Sequence, residues 1–314
     1  MSPTYGEYLR IDELLSLQTG LKDDKRKISN DELHFILVHQ NFELWFKLVI
    51  NELKCTRDIL ASDYVEETSL PQAVHHMDRV IEIFRLMAQQ WKVMETLEPQ
   101  DFLNFRDELG TASGFESFQM REMESLMGKK CIDGKPIGKD EPSKSAEKSL
   151  YEVTCDWLER TPIQGSTISS SSDKKEVDIF IEEYLAAHKS LYPDTNQEAV
   201  DFFEEDNSLR RRRAGLIFIE SYRELPLLAW PRKLISTLIE LEESMILWRS
   251  SHARMVERII GRRIGTGGSS GVDYLDMTTK YRVFVDLWSV RSILIKKESL
   301  PTLRNPEFYE FKGE

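Results

Sequence analysis

The 314-residue sequence has few cysteines and few histidines. Its three cysteines, Cys55, Cys131 and Cys155, lie far apart and form no CxxC or CxxCH motif. This spacing gives no sign of a cysteine zinc site or of covalently attached c-type haem, and it fits a reducing compartment. The six histidines are few enough for each one in an apolar segment to be considered separately.

Positive charge and long apolar runs are also lacking. The 42 Lys and Arg residues are outnumbered by 54 Asp and Glu residues, and the net charge of −12 argues against a nucleic-acid binder. No run of about 20 uncharged apolar residues predicts a membrane span, and MSPTYGEYLR has no signal-peptide pattern. We therefore expect a cytoplasmic protein with no membrane partner.

The sharpest basic run is LRRRRAGL, from Leu209 to Leu216, and the acidic stretch FFEED comes just before it. Mixed charge of this kind is typical of a solvated helix start rather than a polyanion site. The adjacent pair His75 and His76 faces two directions of a predicted helix, so we expect it at the surface.

Helical spacing dominates the chain, which predicts an all-α fold. Ser29 and Glu32 have the spacing of a capping box, which predicts a helix from about residue 30 into the mid-50s. A second helix is predicted for about 72–95. Pro99 and Gly110 indicate the start and end of a short helix, and further helices are predicted to end at Gly128 and to cover about 233–260. YRVFVDLWSVRSILI fits a helix or a strand.

Two polar segments, 129–147 and 162–175, have the composition of mobile loops. Amphipathic helices resume after each of them. We therefore expect one helical-bundle domain over 1–314, with residues 1–28 as an N-terminal arm.

His39 lies in the apolar stretch FILVHQNFELWFK. One helix face carries Phe35, His39, Phe42 and Phe46. The simplest interpretation is that His39 is a hydrogen-bonded residue of the core. Glu43 could form a metal-binding pair with His39. However, there is no HExxH motif, and no further ligand at helical spacing completes a zinc site.

His252 also lies on an apolar helical stripe. In a dry environment an imidazole must hydrogen-bond its nitrogens or bind something. The pattern favours a core histidine bonded to the backbone, and ligation of a metal or haem is the alternative. The stripe consists of Leu241, Met245, Trp248, His252, Met255 and Ile259.

Arg106 lies on an apolar face, where a guanidinium needs an anionic partner. One candidate is a structural ion pair with Asp107, Glu108 or a distant acid. The other is a bidentate clamp on the carboxylate of a substrate. Its apolar neighbours are Phe102, Phe105 and Leu109.

The segment GTGGSSG, Gly265 to Gly271, is rich in glycine. It fits neither the Walker loop nor the dinucleotide fingerprint. We interpret it as a flexible loop whose hydroxyls and amides could close over a small polar ligand.

Several blocks together resemble the tryptophan 2,3-dioxygenase family, which consists of haem-dependent enzymes that open the indole ring. They cover about half of the chain, in family order, whereas 129–230 resembles the family only in patches. The blocks are YGEYLRIDELLSLQ, DELHFILVHQNFELWFKLVINEL, NFRDELGTASGFESFQMREME, LWRSSHARMVERIIGRRIGTGGSSGVDYL and, more loosely, YRVFVDLWSVR.

The resemblance implies a role for several single residues. His252 matches the proximal haem ligand, and His39 matches the distal histidine near the indole N–H of the substrate. Phe35 matches an aromatic residue over the haem and the substrate ring. Arg106 matches the clamp on the substrate carboxylate, and Thr266 a contact to the substrate ammonium and carboxylate.

Further positions complete the implied site and assembly. Phe102 and Leu109 match pocket walls, Ser113 matches a hydroxyl near the haem edge, and Trp248 is expected beside the cofactor. The family is all-helical and usually tetrameric. Its N-terminal segment reaches into a neighbouring subunit's pocket, and the matching positions here are Tyr5, Tyr8 and Leu9.

The resemblance implies haem b, dioxygen as co-substrate and L-tryptophan or a substituted tryptophan as substrate, with insertion of both oxygen atoms across the indole C2–C3 bond to give an N-formylkynurenine-type product. The family usually has arginine before the proximal histidine, where this chain has Ser251. The alternative is a related monooxygenase that inserts one atom and gives an oxindole or hydroxylated product. A haem sensor without turnover is a further alternative, but it has no reason to keep Arg106 and Thr266. A helical scaffold with both histidines merely packed is another, and it would show no Soret band.

Overall fold

The computed structural model describes residues 2–20, 26–110, 114–128, 131–132, 135–136, 147–203, 207–265 and 271–311. This part of the chain is all-α, as predicted, and its only named strands are the two-residue antiparallel pair β1 (Cys131–Ile132) and β2 (Lys135–Pro136). The helices are α1 (Tyr5–Leu9), α2 (Ile11–Leu15), α3 (Asn30–Leu60), α4 (Leu70–Met94), α5 (Pro99–Arg106), α6 (Phe118–Met127), α7 (Leu150–Glu159), α8 (Asp173–Leu191), α9 (Asn196–Phe203), α10 (Asn207–Ser221), α11 (Ala229–Ile260), α12 (Gly271–Thr278) and α13 (Val285–Ser289).

The predicted start of α3 is confirmed, but only half of its capping box forms. The Ser29 hydroxyl accepts a hydrogen bond from the Glu32 backbone N–H at 3.0 Å. The Glu32 carboxylate binds both terminal nitrogens of Arg26, each at 2.7 Å. A charged guanidinium is a stronger donor than a backbone N–H, which explains this choice of partner.

The helix ends predicted from Pro99, Gly110 and Gly128 are also confirmed. Pro99 opens α5, and a short 3-10 turn, Asp107–Leu109, carries the chain on to Gly110 at φ 55°. Gly128 follows α6 at φ 115°, and a Cβ there would lie 2.6 Å from the Cβ of Tyr151. Glycine is required at Gly128 by both its backbone angle and this close approach.

The chain folds into two compact units, each built from three segments. The first unit comprises Met1–Val49, Glu82–Arg121 and Ser244–Tyr281. The second comprises Ile50–Ile81, Glu122–Glu243 and Arg282–Glu314. A single domain over 1–314 therefore stays a prediction. Among the described residues, no helix combines the length and the low charge that a membrane span requires.

The core of the first unit is dominated by aromatic side chains. Trp248 meets Phe46 edge-on at 5.8 Å between ring centroids, and it lies 5.9 Å from Phe84 and 6.2 Å from Phe42. Such edge-to-face and tilted pairs add to the free energy gained from burying the rings. Segments of α3, α4 and α11 thus share one aromatic cluster, which we call the aromatic core.

The second unit packs two of its helices very closely. A Cβ on Gly215 of α10 would lie 2.4 Å from the carbonyl oxygen of Leu158 in α7, so no larger residue fits there without a backbone shift. In the same unit, Tyr184 and Tyr222 are buried, and their hydroxyls donate to the carbonyls of Ile293 and Pro301 at 3.0 and 2.6 Å.

The prediction of a solvated basic run at 209–216 is wrong. Arg211 is only 8% exposed and binds the Asp173 carboxylate at 3.1 Å. Arg212 and Arg213 both bind Asp286, at 3.2 and 3.0 Å. The acids come from distant parts of the sequence, so local charge patterning could not reveal them.

The prediction that both adjacent histidines lie at the surface is wrong for one of them. His75 is exposed, whereas His76 is half-buried and its Nδ1 lies 2.5 Å from the carboxylate of Glu52. Glu52 is 3% exposed and also binds Arg79 at 2.7 Å. His76, Glu52 and Arg79 therefore form one hydrogen-bonded cluster of the second unit.

Of the two predicted loops, only 162–175 is fully described. Most of 129–147 lies outside the described residues. Within 162–175, Ile163 and Ser166 form a β-bridge around a tight turn, and the Tyr309 hydroxyl donates to the Pro162 carbonyl at 2.9 Å. The mobility of this segment stays a prediction.

The ambiguous segment 281–295 forms α13 and a 3-10 turn, Val290–Ile293, so its strand interpretation is wrong.

Candidate functional site

Phe35 and His39 face the same side of α3, one turn apart. Their ring centroids are 4.1 Å apart, and both side chains are partly exposed. The spacing of four residues in an α-helix produces this contact. The predicted pair therefore forms one aromatic surface within the first unit.

His39 has a defined tautomer. Its Nδ1 lies 2.8 Å from the carbonyl oxygen of Phe35, and a carbonyl can only accept, so Nδ1 carries the proton. Burial is the main cause that lowers the pKa of His39 below its ordinary value. The ring is therefore neutral near pH 7, and Nε2 keeps a lone pair that can accept a hydrogen bond.

The metal-pair interpretation of His39 with Glu43 is not supported. The Glu43 carboxylate accepts a hydrogen bond from the Gln119 side chain at 2.9 Å. Among the described residues, no group of three or more His, Cys, Asp or Glu side chains is placed to hold a metal ion. His39 is thus available to an organic ligand.

His252 lies on the buried stripe of α11, as its spacing predicted. Met255 and Ile259 on the same stripe are 4% and 7% exposed. No described residue hydrogen-bonds to its ring. Burial, with a smaller contribution from His39, lowers the pKa of His252 to about 3. The core-histidine interpretation expected a backbone partner, and none is present in the described part of the chain.

Trp91 is a contact of His252 that sequence reasoning missed. The indole and imidazole centroids are 4.4 Å apart, with 5° between the ring planes. Trp91 shares its α4 face with Met87 and Met94, and all three are buried. In sequence, this face has the same helical spacing as any apolar face that packs in a core. No sequence signal therefore marks Trp91 as a neighbour of His252.

Trp248 belongs mainly to the aromatic core. It is 5% exposed, and its ring lies 6.1 Å from that of His252, farther than Trp91. The buried Nε1 atoms of both tryptophans have no hydrogen-bond partner among the described residues. Both indole rings therefore make this end of the site apolar.

The α5 helix adds a second aromatic wall. Phe35 lies 5.9 Å from Phe102 and 5.7 Å from Phe105, and the last two meet edge-on at 5.4 Å. Both α5 phenylalanines are buried. Because Arg106 follows Phe105 directly, this packing brings the predicted carboxylate clamp to the same part of the first unit as Phe35 and His39.

Arg106 has no acidic partner among the described residues. One terminal nitrogen donates to the backbone carbonyl of Ile264 at 2.5 Å. Its side chain is half-buried, so a charged group with five N–H donors is left with one neutral acceptor within that part of the chain. The ion pair with Asp107 or Glu108 is therefore not present, and donors remain for an anion.

The remaining predicted residues divide into two groups. Ser113 and Thr266 lie outside the described residues. Leu109 is half-buried in the 3-10 turn after α5, whereas Tyr5, Tyr8 and Leu9 in α1 are 78%, 77% and 44% exposed. Their contact with a second subunit stays a prediction.

These side chains fit a haem group. A neutral imidazole without a hydrogen-bond partner among the described residues has a lone pair that can bind iron, and the indole and phenyl rings around it suit a porphyrin. The neutral acceptor of His39 and the unpaired donors of Arg106 suit an indole N–H and a carboxylate. The arrangement can therefore hold an aromatic amino acid beside a redox cofactor.

The chain is similar to known proteins of one enzyme family. The family model for tryptophan 2,3-dioxygenase matches residues 1–168 and 147–294. "Tryptophan 2,3-dioxygenase" of Sorangium cellulosum is 40% identical over 366 residues, which cover 99% of this chain and 88% of that protein. "Tryptophan 2,3-dioxygenase 2" of Ralstonia nicotianae is 40% identical over 367 residues, 99% of this chain and 98% of that protein.

Similarity extends to a more distant source. "Tryptophan 2,3-dioxygenase" of Anopheles gambiae is 32% identical over 343 residues, which cover 96% of this chain and 88% of that protein. Identity at this level over nearly the whole chain, together with the family match, shows that this chain is an enzyme of the tryptophan 2,3-dioxygenase family of oxidoreductases.

Proposed function

We propose that this protein is a haem-dependent dioxygenase that inserts both atoms of O2 across the indole C2–C3 bond of L-tryptophan or a substituted tryptophan. The observation that carries the proposal is the state of His252. Its ring is neutral, lies near the rings of Trp91 and Trp248, and makes no hydrogen bond to the described residues. Haem b, when bound, supplies the iron chemistry that activates dioxygen.

His252 would hold the iron through one ring nitrogen. Burial keeps the imidazole unprotonated, so its lone pair is available at any physiological pH. The surrounding Trp91 and Trp248 rings exclude water from this side. The chain thus provides a preformed neutral ligand in an apolar setting.

His39 would orient the indole ring. With Nδ1 bonded to Phe35, its Nε2 can accept the indole N–H of the substrate. Addition of oxygen to an electron-rich indole does not require prior removal of this proton. We therefore assign His39 a hydrogen-bonding role and not that of an obligatory base.

Arg106 would fix the amino-acid end of the substrate. Two of its N–H groups can bind a carboxylate side by side, which sets distance and direction at once. Phe35 and Phe102 would contact the indole ring. Fixing both ends of the substrate in this way can remove several kcal/mol of the entropic cost of reaction. Thr266 would add a contact to the ammonium and carboxylate groups, and Ser113 a hydroxyl near the haem edge.

We also propose that the enzyme is a homo-oligomer, with a tetramer as the predicted form. The apolar residues of α1 and α2 support this, because Tyr5, Tyr8 and Leu15 are each more than 60% exposed within one chain. Exposed aromatic side chains on a short terminal helix are typical of a segment that another chain covers.

The test is the mass of the product formed from tryptophan by purified, reduced, haem-loaded protein. A gain of two oxygen atoms is expected, and a gain of one would favour the monooxygenase alternative. His252→Ala should lose haem binding and the Soret band, whereas the exposed control His75→Ala should keep both. An unchanged haem spectrum in His252→Ala would falsify the ligand assignment.

A further inference from the structure

Among the described residues, the aromatic side chain nearest to His252 is Trp91, and the two rings are almost parallel. Their centroids are 4.4 Å apart with 5° between the planes, whereas Trp248 lies 6.1 Å away at 26°. A parallel contact at this separation is full van der Waals stacking of an imidazole on an indole. It is the tightest and flattest ring contact that His252 makes within the described part of the chain.

Trp91 is itself held in place. It is 3% exposed, and its ring lies 4.2 Å from Phe42 and 6.2 Å from Trp248. A buried ring packed on two sides has little rotational freedom. Trp91 can therefore impose its plane on a more loosely held neighbour.

His252 is such a neighbour. The torsion that rotates an imidazole about its Cβ–Cγ bond has broad minima, so the ring plane is set by contacts. Histidines that bind metals usually have the ring fixed by a hydrogen bond from the second nitrogen. No described residue makes that bond to His252, which leaves stacking as the contact that can fix the plane.

We propose that Trp91 is a positioning residue for the haem ligand: by stacking on His252 it sets the plane of the imidazole, and so the direction of the nitrogen that binds iron. This inference rests on the proposed function, because it assumes that His252 holds haem. It assigns to an aromatic face the task that a hydrogen bond performs in many other metal sites.

The indole N–H of Trp91 makes a sharp test possible. Its Nε1 is buried and has no partner among the described residues, so Trp91→Phe removes an unpaired donor while it keeps an aromatic face. Trp91→Met and Trp91→Leu fill much of the space without such a face. Comparing Trp91→Phe with the two aliphatic variants therefore separates the effect of ring stacking from the effect of side-chain volume.

Two quantities are measured on haem-loaded, full-length protein: the iron–histidine stretching mode in resonance Raman spectra of the ferrous form, and the rate of haem transfer to apomyoglobin. We expect Trp91→Met and Trp91→Leu to shift or broaden the stretching mode. Their haem transfer should be about tenfold faster, which corresponds to the upper range of one aromatic pair. Trp91→Phe should stay within about threefold of the wild type.

The control is Trp230→Met, in the second unit and 41% exposed, which should change neither quantity. Two aliphatic variants are made so that the test can still be done if one of them does not fold. A stretching mode and transfer rate equal to wild type in either folded aliphatic variant overturn the inference. A wild-type chain that binds no haem overturns the proposed function, and this inference with it, so the two failures are distinct.

Discussion

Arg106 of the first unit and the run Arg211–Arg213 of the second unit differ in the partners they find within the chain. In the second unit, Arg211, Arg212 and Arg213 all find carboxylates of their own chain, Asp173 and Asp286, at 3.0 to 3.2 Å. In the first unit, Arg106 has only a carbonyl oxygen as partner among the described residues. A charge paired within the chain serves folding, whereas a half-buried charge with spare donors is suited to a ligand.

The same contrast holds for histidine. His76 of the second unit has its Nδ1 on the buried carboxylate of Glu52. His252 of the first unit has no hydrogen bond to any described residue and stacks on Trp91 instead. Where the chain satisfies a polar group, mutation should mainly change stability. Where it does not, mutation should mainly change binding and turnover.

The largest expected effect comes from removing the carboxylate that pairs with two arginines of the second unit. Asp286→Ala leaves two arginines, Arg212 and Arg213, without their shared carboxylate. We expect the free energy of unfolding to fall by about 3 kcal/mol, because removing the acid of a largely buried ion pair is strongly destabilising. Urea denaturation followed by far-ultraviolet circular dichroism, at one fixed protein concentration, measures this change.

The matched control is Asp178→Ala. Its partner Arg210 lies 3.4 Å away, and the two side chains are 40% and 30% exposed. A loss below about 1 kcal/mol is expected for such a solvent-screened pair. Equal losses in the two variants would mean that burial of the pair at Asp286 contributes nothing.

The second prediction concerns Arg106, which has no acidic partner among the described residues. Arg106→Gln should lower kcat/KM for tryptophan by about 100-fold, since two charge-assisted hydrogen bonds to the carboxylate are lost. The free energy of unfolding should change by less than about 0.5 kcal/mol, because no acid within the described residues loses its partner. Steady-state kinetics and urea denaturation on the same preparations measure both quantities.

Arg258→Gln serves as the control in the same unit. Arg258 is 67% exposed and pairs weakly with Glu95 at 3.4 Å, so kcat/KM should stay within about twofold. If Arg106→Gln lost stability and kept kcat/KM, its guanidinium would belong with the structural arginines.

The smallest predicted effect is a pH dependence. Burial lowers the pKa of His39 below its ordinary value of 6.5. Protonation of Nε2 would block acceptance of the indole N–H, so the acid limb of kcat/KM should lie below pH 6.5. The unfolded chain takes up this proton first, so the unfolding free energy also falls as the pH drops through that region.

His39→Gln should remove this limb and lower the plateau of kcat/KM by about tenfold, since one oriented hydrogen bond is weakened. The control is His76→Gln, because the ring of His76 is paired with Glu52 in the second unit. A pH profile of kcat/KM that is identical in wild type and His39→Gln would show that another group causes the limb.

Most helix positions could be predicted from the sequence, because their signals are local. Ser29, Pro99 and Gly128 each mark a helix end through the chemistry of nearby backbone groups, and the structure places the ends at or next to them. The burial of Met255 and Ile259 beside His252 followed from helical spacing alone. The division of the chain into two compact units had no comparable local signal.

The partners of charged groups could not be predicted in this way. The run at Arg211–Arg213 looked solvated because its acids, Asp173 and Asp286, are 38 and 73 residues away from the arginines they bind. Arg106 posed the reverse problem, since two acids follow it directly in sequence and neither pairs with it. An ion pair depends on three-dimensional direction, which sequence neighbours do not specify.

The sequence by itself determined the helices, their apolar faces and the residues that match the family, because these depend on local periodicity and on short motifs. The tertiary structure decided which polar groups remain available. It placed Phe35 against Phe102 and Phe105 of α5 and stacked Trp91 flat on His252. The contacts of α5 with Phe35 and of Trp91 with His252 join segments far apart in the chain, so only folding could bring them together.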